Sequence, residues 1–414
     1  MGETFHTRIL ILGAGPGGAS AALFLAKKGI ECLLVDKASF PRDKICGDAL
    51  SGKVVEVFKK LDPGIVDRLA VDAQALGSWG VTFVAPNRKG LRVPFKKEFD
   101  KNKDKSPGFI SKRMDFDNFL VSECRKQPLI QIVEGLGLTD FERKNGKWSC
   151  KSEDGRSVEA DMVIAADGAH SRFAKLIGKI EMEPQHNCAG LRGYYKGVKG
   201  LDADNFIELH FIKDFLPGYF WIFPLPNGYA NVGVGMRSDK VSAKKVNLKQ
   251  EMADLIANDP VMKERFADAE LVGGIKGFGL PLGSKKRKIS GEGFVLVGDA
   301  ASLIDPFTGE GIGNALYSGL FAADQAERCL AANDFSEEQM KAYDTAVYAR
   351  LWEELKLGHR MQRLVNYPWL FNLVVNKAQK NKTLRETISC MFDDLDLRER
   401  LKNPLFYFKL LFSK

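Results

Sequence analysis

Two kinds of hydrophobic pattern alternate along the chain. Residues 8–12 (RILIL), 31–36 (ECLLVD), 161–168 (DMVIAADG) and 294–301 (FVLVGDAA) are apolar runs without polar alternation. Such runs suit strands of a parallel sheet covered on both faces. Between the first two, ASAALFLAKKG spaces its apolar residues as a helix does, so residues 8–36 read as a strand–helix–strand unit. Stretches 76–100 and 186–283 alternate instead, as in IELHF (207–211) and YFWIF (219–223). They predict antiparallel strands of a second domain inserted into the first. A further helix is predicted from about residue 310, and after Ser336 the pattern turns helical. Ser336 and Gln339 make a capping box there, and Met340, Tyr343, Val347 and Leu351 form one apolar stripe.

The stretch YFWIFPLPNGYANVGVG (219–235) raises a question of its own. On a strand, Tyr219, Trp221 and Phe223 share one face. That face can fill a core, because aromatic residues favour strands, or it can line a pocket. A wall has two sides, so the two readings are compatible.

Chemistry enters at the first strand. GAGPGG supplies Gly13, Gly15 and Gly18 as G-x-G-x-x-G, and Asp36 ends the second strand 18 residues after Gly18. Gly13 permits the tight turn, Gly15 lets backbone approach a pyrophosphate, and Gly18 allows helix–strand packing. The helix N-terminus offers free N–H groups and positive partial charge. Asp36 can accept from ribose hydroxyls, and its charge would repel a 2′-phosphate. The unit reads as a dinucleotide site open to FAD or NAD.

Composition narrows the class. A net charge of +8 is a mild excess, with basic clusters at 285–288 and 96–105 that read as solvated loops and nothing that resembles a nucleic-acid module. The seven dispersed cysteines include no C-x-x-C, which argues for a reducing compartment and against a disulfide framework or metal site. No segment reads as a signal peptide or is long and apolar enough to span a bilayer, so a cytoplasmic location is expected.

Three more segments decide between the dinucleotides: RMDFDNFL (113–120), ADGAHSR (166–172) and VGDAASLIDPFTGEGIGNA (297–315). On these the chain resembles the flavoprotein group that includes para-hydroxybenzoate hydroxylase, the flavin-dependent halogenases and the geranylgeranyl reductases. Residues 219–235 resemble the geranylgeranyl reductase signature Y-x-W-x-F-P followed by G-x-G, with Tyr219, Trp221, Phe223, Pro224, Gly233 and Gly235 in register. That family also carries a Cys-Gly element, here Cys46-Gly47 in FPRDKICGDALS (40–51). The halogenases carry W-x-W-x-I-P instead. In hydroxylases an Arg stands three residues after the Ser of the Asp-Gly motif, whereas here Arg172 follows Ser171 directly and Ala174 takes that place.

The resemblance covers about residues 5–330. It implies an α/β fold: a Rossmann-type FAD-binding domain (1–75, 106–182 and 285–335), an inserted antiparallel-sheet substrate domain (76–105 and 183–284) and a helical C-terminal region (336–414). It implies noncovalent FAD held by Gly13, Gly15, Pro16, Gly17, Gly18, Asp36, Lys37, Cys46, Gly47, Ala49, Arg113, Leu138, Asp167, Gly168, Asp299, Gly311 and Ile312. It implies catalytic parts for Cys46, as proton donor or gate, and for Tyr219 and Trp221 as substrate wall. The expected activity is reduction of C=C bonds in a prenyl lipid, with NAD(P)H or a small electron carrier as reductant. A monooxygenase or halogenase of the same fold and a flavin-carrying electron-transfer protein are the alternatives. His170 and His210 are expected to be structural. The tail NPLFYFKLLFSK (403–414) mixes aromatics with Lys409 and Lys414; it reads either as a helix docked on its own protein or as a weak peripheral membrane contact.

Overall fold

The four apolar runs become neighbouring strands of one sheet. The structure is a computed structural model and describes residues 2–96 and 98–381. The sheet runs in the order Ser290–Gly291, Phe294–Leu296, Ser157–Ala165, Thr4–Leu12, Cys32–Asp36 and Ile130–Glu134. From Phe294–Leu296 to Ile130–Glu134 every pairing is parallel. Ile9, Leu10 and Ile11 are wholly buried, as an unalternating strand requires. Helices Pro16–Lys27 and Ile312–Ala332 press together so closely that a Cβ on Gly319 would lie 2.3 Å from the Gly17 carbonyl oxygen. The α/β fold class is therefore the observed one.

Three details differ from the sequence expectation. The run 294–301 is a strand only to Leu296; Gly298 takes φ +59°, and Gly298–Ala301 winds into a 3-10 turn. The run 161–168 begins earlier and stops at Ala165. Strands Leu138–Lys144 and Lys147–Ser152 went unread, because their hairpin sits at the rim of the sheet and buries only Phe141, Trp148 and Cys150.

Strands from the two alternating stretches form a second, seven-stranded sheet. Its order is Glu270–Pro281, Asn187–Lys196, Tyr229–Arg237, Tyr219–Pro224, Ile207–His210, Gly80–Val84 and Gly90–Pro94. All pairings are antiparallel except one: Ile207–His210 runs parallel to Gly80–Val84. Between those two strands the chain leaves for the first sheet and returns, so no hairpin forces them antiparallel. Helices Ser238–Lys244, Leu248–Asn258 and Pro260–Arg265 also belong to this part, which the strand pattern alone did not reveal.

The aromatic strand Tyr219–Pro224 serves two cores. Phe220 and Ile222 are wholly buried with Val232, Val234, Met252 and Met262. Tyr219, Trp221 and Phe223 point the other way, toward Phe211, Phe371 and Val375. Past residue 335 the helix Glu337–Leu364 is capped by Ser336, whose Oγ accepts from the Gln339 N–H at 3.4 Å. Its stripe of Met340, Tyr343, Val347 and Leu351 is fully buried. Helix Pro368–Lys380 follows, and the tail 403–414 lies outside the described residues. Among the described residues no helix is long and apolar enough to cross a membrane, and six cysteines are free thiols.

Phe220 tests the two-sided strand. Phe220→Ala is expected to lower unfolding free energy by about 3–5 kcal/mol in urea titrations, the cost of emptying a filled core site. A loss below about 1 kcal/mol would mean that this face is not core.

Candidate active site

One cavity of about 820 Å³ is lined in common by Gly13 and Asp36, Cys46 and Gly47, Tyr219 and Trp221, and Phe371 and Val375. Each group reaches it for a local reason.

At the glycine end, Gly13 turns the chain with φ +94°, and a Cβ there would lie 2.6 Å from the Ala166 carbonyl oxygen. Gly15 is different: the nearest atom to a Cβ would be Arg42 Nη2 at 3.8 Å, so its open side faces the cavity. Gly18 lies beneath the loop, where a Cβ would be 1.9 Å from the Gly13 oxygen; it packs the helix and does not line the cavity. Pro16 occupies the first turn of the helix, whose leading N–H groups have no intrahelical acceptor. The Asp36 carboxylate accepts from Ala14 N–H and Ala38 N–H, each at 2.8 Å, and its remaining lone pairs are available to hydroxyls. Arg42 is held by Asp117 at 2.7 Å, on the open side of Gly15. Lys37 also lines the cavity; Leu138 does not, being half-buried against the hydrophobic core.

Farther along stand Asp167, Gly168, Asp299, Gly311 and Ile312. Asp167 Oδ1 is buried without a hydrogen-bond partner, and burial pushes this carboxyl above its usual range. Lys44 Nζ sits 3.8 Å from Asp299 Oδ2 and 4.1 Å from the Phe278 ring centre, and burial lowers its pKa. Gly311 caps the helix Ile312–Ala332, so that helix's positive end opens on the cavity. A cradle with an open Gly15, an orphaned buried carboxylate oxygen and a second helix N-terminus fits a long dinucleotide such as FAD.

The cysteine turn and the aromatic wall meet next. A Cβ on Gly47 would lie 3.0 Å from Phe223 and 3.8 Å from Trp221 Nε1. A Cβ on Gly233 would lie 2.2 Å from the Trp221 ring. The two glycine-bearing motifs are therefore one packing unit. Tyr219 Oη donates to the Thr308 carbonyl at 2.5 Å, tying the wall to the loop that leads into the capped helix. Cys46 is half-buried, and burial pushes its thiol pKa up, against the pull of the nearby Arg113 guanidinium. Arg113 itself grips Asp117 through two bonds of 2.7 Å. Ala49 lines the cavity beside this turn.

Sequence reasoning missed several residues here. Asp48 is wholly buried at φ +69°, and burial raises its pKa to about 6. Its Oδ2 accepts from Tyr194 Oη and Asn231 Nδ2, each at 2.8 Å. Asp48 directly follows the Cys-Gly element and Asn231 sits in the spacer before G-x-G, so position in the motifs was the available signal. The C-terminal helices lining the cavity through Met361, Leu364, Phe371 and Val375 carried none. Of the histidines, His210 bonds Glu208 at 2.8 Å in a buried ion pair with Arg265, while His170 lines the cavity edge-on to Phe278.

The FAD binding domain family model matches residues 6–317. A digeranylgeranylglycerophospholipid reductase of Methanocaldococcus jannaschii is 29% identical over 95% of this chain and 93% of its own length. One of Thermoplasma volcanium is 31% identical over 84% of each chain. Among solved structures, a geranylgeranyl bacteriochlorophyll reductase-like protein from Thermoplasma acidophilum superposes with a TM-score of 0.78 at 24% identity, covering 96% of this chain and 99% of its own. A flavin-dependent brominase shares the fold, at a TM-score of 0.76 and 19% identity over 98% of this chain and 99% of its own. The chain belongs to the geranylgeranyl reductase family of FAD-dependent oxidoreductases.

Proposed function

We propose that this chain saturates C=C bonds of a prenyl-containing lipid, with FAD held noncovalently. The observation that supports it is one continuous cavity where a glycine cradle, a free thiol at Cys46 and an aromatic wall adjoin. Two relatives are named for a digeranylgeranyl lipid, a substrate whose long apolar unsaturated chains match such a wall.

Gly13, Gly15, Pro16, Gly17, Asp36 and Lys37 hold the adenosine and pyrophosphate half, with Arg42 as an added cation. Asp167, Gly168, Asp299, Gly311 and Ile312 hold the flavin half, bordered by Gly47 and Ala49. When bound and reduced, FAD supplies the hydride that one alkene carbon takes up. Tyr219, Trp221 and Phe223 grip the isoprenoid chain and keep water from it. Cys46 Sγ holds the proton destined for the other carbon. Burial keeps that thiol protonated at neutral pH, and the charge left after transfer meets Arg113 and the Asp48 N–H. An isolated alkene is a poor hydride acceptor, so the fixed placement of this proton carries much of the catalysis.

The direct test is anaerobic incubation of dithionite-reduced holoenzyme with prenyl lipids, read by mass spectrometry. Products gained in steps of two hydrogens are expected; oxygenated products formed with O2 uptake, or none, would refute the reading. Acid denaturation should release free yellow FAD. Trp221→Ala is expected to raise KM for the lipid about tenfold or more while FAD occupancy stays full. Equal loss of occupancy and activity would make Trp221 core instead of wall. Cys46→Ala should lower kcat by about a hundredfold with KM little changed, and an unchanged kcat would remove Cys46 as donor.

For the tail 403–414 the proposal is peripheral membrane contact, since a polyprenyl substrate resides in a bilayer. Full-length protein should co-sediment with anionic liposomes at low salt more than a chain ending at Lys402. Equal recovery of both in the supernatant would count against it.

A further inference from the structure

Asn231 lies on strand Tyr229–Arg237 and is wholly buried. Its amide is spent in three directions. Oδ1 accepts from Trp221 Nε1 at 2.9 Å; Nδ2 donates to the Cys46 carbonyl at 2.7 Å and to Asp48 Oδ2 at 2.8 Å. Both amide hydrogens are used, and each goes to the turn that carries the thiol, whereas the oxygen goes to the wall. Asn231 is thus a single side chain bonded at once to the proposed substrate wall and the proposed proton donor's backbone.

We infer that Asn231 is a positioning residue: it fixes the distance between the Trp221 wall and the Cys46 turn, so that a prenyl chain seated on the wall presents its double bond to the thiol. The inference rests on the reductase reading for its catalytic meaning. Its structural content, that Asn231 anchors the turn, stands apart from that reading. Asp48 is the second point of the anchor. Besides Asn231 it takes Tyr194 Oη at 2.8 Å and the Arg113 N–H at 3.2 Å, and the Ser111 N–H donates to its carbonyl at 3.0 Å. Without Asn231 the Cys46 carbonyl loses this donor and Asp48 Oδ2 keeps only Tyr194 Oη, in a buried site, so the turn must move to find others.

Charge makes the test specific. The groups facing this position are Asp48 and Cys46 from the turn, Arg113 from its helix, and Tyr194 and Arg192 from the neighbouring strand, with Lys112 above the Tyr194 ring. Asn231→Asp keeps the shape and the acceptor for Trp221 but sets a carboxylate against Asp48. Two such groups in one site share a proton, which restores one donor when the solution is acidified.

Three measurements decide. First, hydrogen exchange of the turn 44–49: protection should fall in Asn231→Leu while strand 219–224 and FAD absorbance stay as in the parent. This readout needs no substrate. Second, steady-state kinetics: Asn231→Leu should lower kcat about tenfold or more with KM little changed, and Asn231→Asp should recover kcat as pH falls where the parent does not. Third, Trp221→Phe, which keeps the ring but loses the N–H, should lower kcat in the parent and add little on top of Asn231→Leu. Unchanged exchange of the turn would overturn the anchor. Additive losses, a pure KM effect or an Asn231→Asp profile parallel to the parent's would overturn the positioning role. Should Asn231→Leu not fold, the Asn231→Asp profile and the Trp221→Phe kinetics decide alone. A parent enzyme that saturates no prenyl lipid would refute the reductase reading and leave the exchange result to judge the anchor.

Discussion

The substrate end of this molecule depends on how close one indole ring comes to backbone. Trp221 lies so close to Gly233 that a Cβ there would fall 2.2 Å from the ring, and its Nε1 comes within 3.8 Å of a Cβ built on Gly47 of the opposite element. The strand pairing puts Trp221 directly across from Gly233 on the neighbouring strand, so the ring needs a bare backbone under it. With that contact made, Tyr219 and Phe223 follow on the same face by the two-residue period of the strand. Phe220 and Ile222 must then face the helices between residues 238 and 265. The orientation of the whole strand, and with it which aromatics meet the cavity, follows from that one close approach.

Charges around the cysteine turn are arranged unevenly. Asp117 is satisfied by both Arg113 and Arg42, and Asp43 by Arg192 and Lys276. Asp48, wholly buried like Asp117, has only neutral hydrogen-bond donors in direct contact, with Arg113 and Arg192 acting on it from a distance. Desolvation is therefore incompletely compensated, and burial pushes its carboxyl up to about 6. A polar cluster of this kind holds its geometry only while every member keeps its partner. That is why the Asn231 amide, uncharged and able to bond in three directions, suits the centre of it.

The sequence made the nucleotide half legible because each of its parts is local. A strand, a G-x-G-x-x-G turn, a helix and an acid lie within residues 8–36, and the fold brings no distant residue between them. Four strands of the first sheet were legible for the same reason, each being a separate apolar run, whereas the edge strands Ile130–Glu134 and Ser290–Gly291 offered no such run. The hairpin 138–152 was not, since a rim hairpin buries only one or two residues per strand and leaves no run to read. Asn231 and Asp48 were invisible for a different cause. A buried polar residue declares its role only through partners, and the partners here are 183 residues apart in the chain.

The C-terminal helices show how far a site can extend beyond its motifs. Gly358 sits mid-helix, where glycine is costly, yet a Cβ there would lie 2.3 Å from Asp305 Oδ2. Asp305 in turn accepts from the Phe307 and Thr308 N–H groups and so shapes the loop that Tyr219 grips through the Thr308 carbonyl. Helix 337–364 thus rests on the same loop that leads to the Gly311 helix cap, and helix 368–380 closes the apolar end of the cavity with Phe371 and Val375. The glycine cradle is built by a general nucleotide-binding unit, whereas the apolar part of the cavity is lined jointly by the second sheet and these two helices. In this chain the helix that meets the motif-bearing loop does so through one missing side chain, at Gly358, and the next helix adds apolar lining at the same end of the cavity.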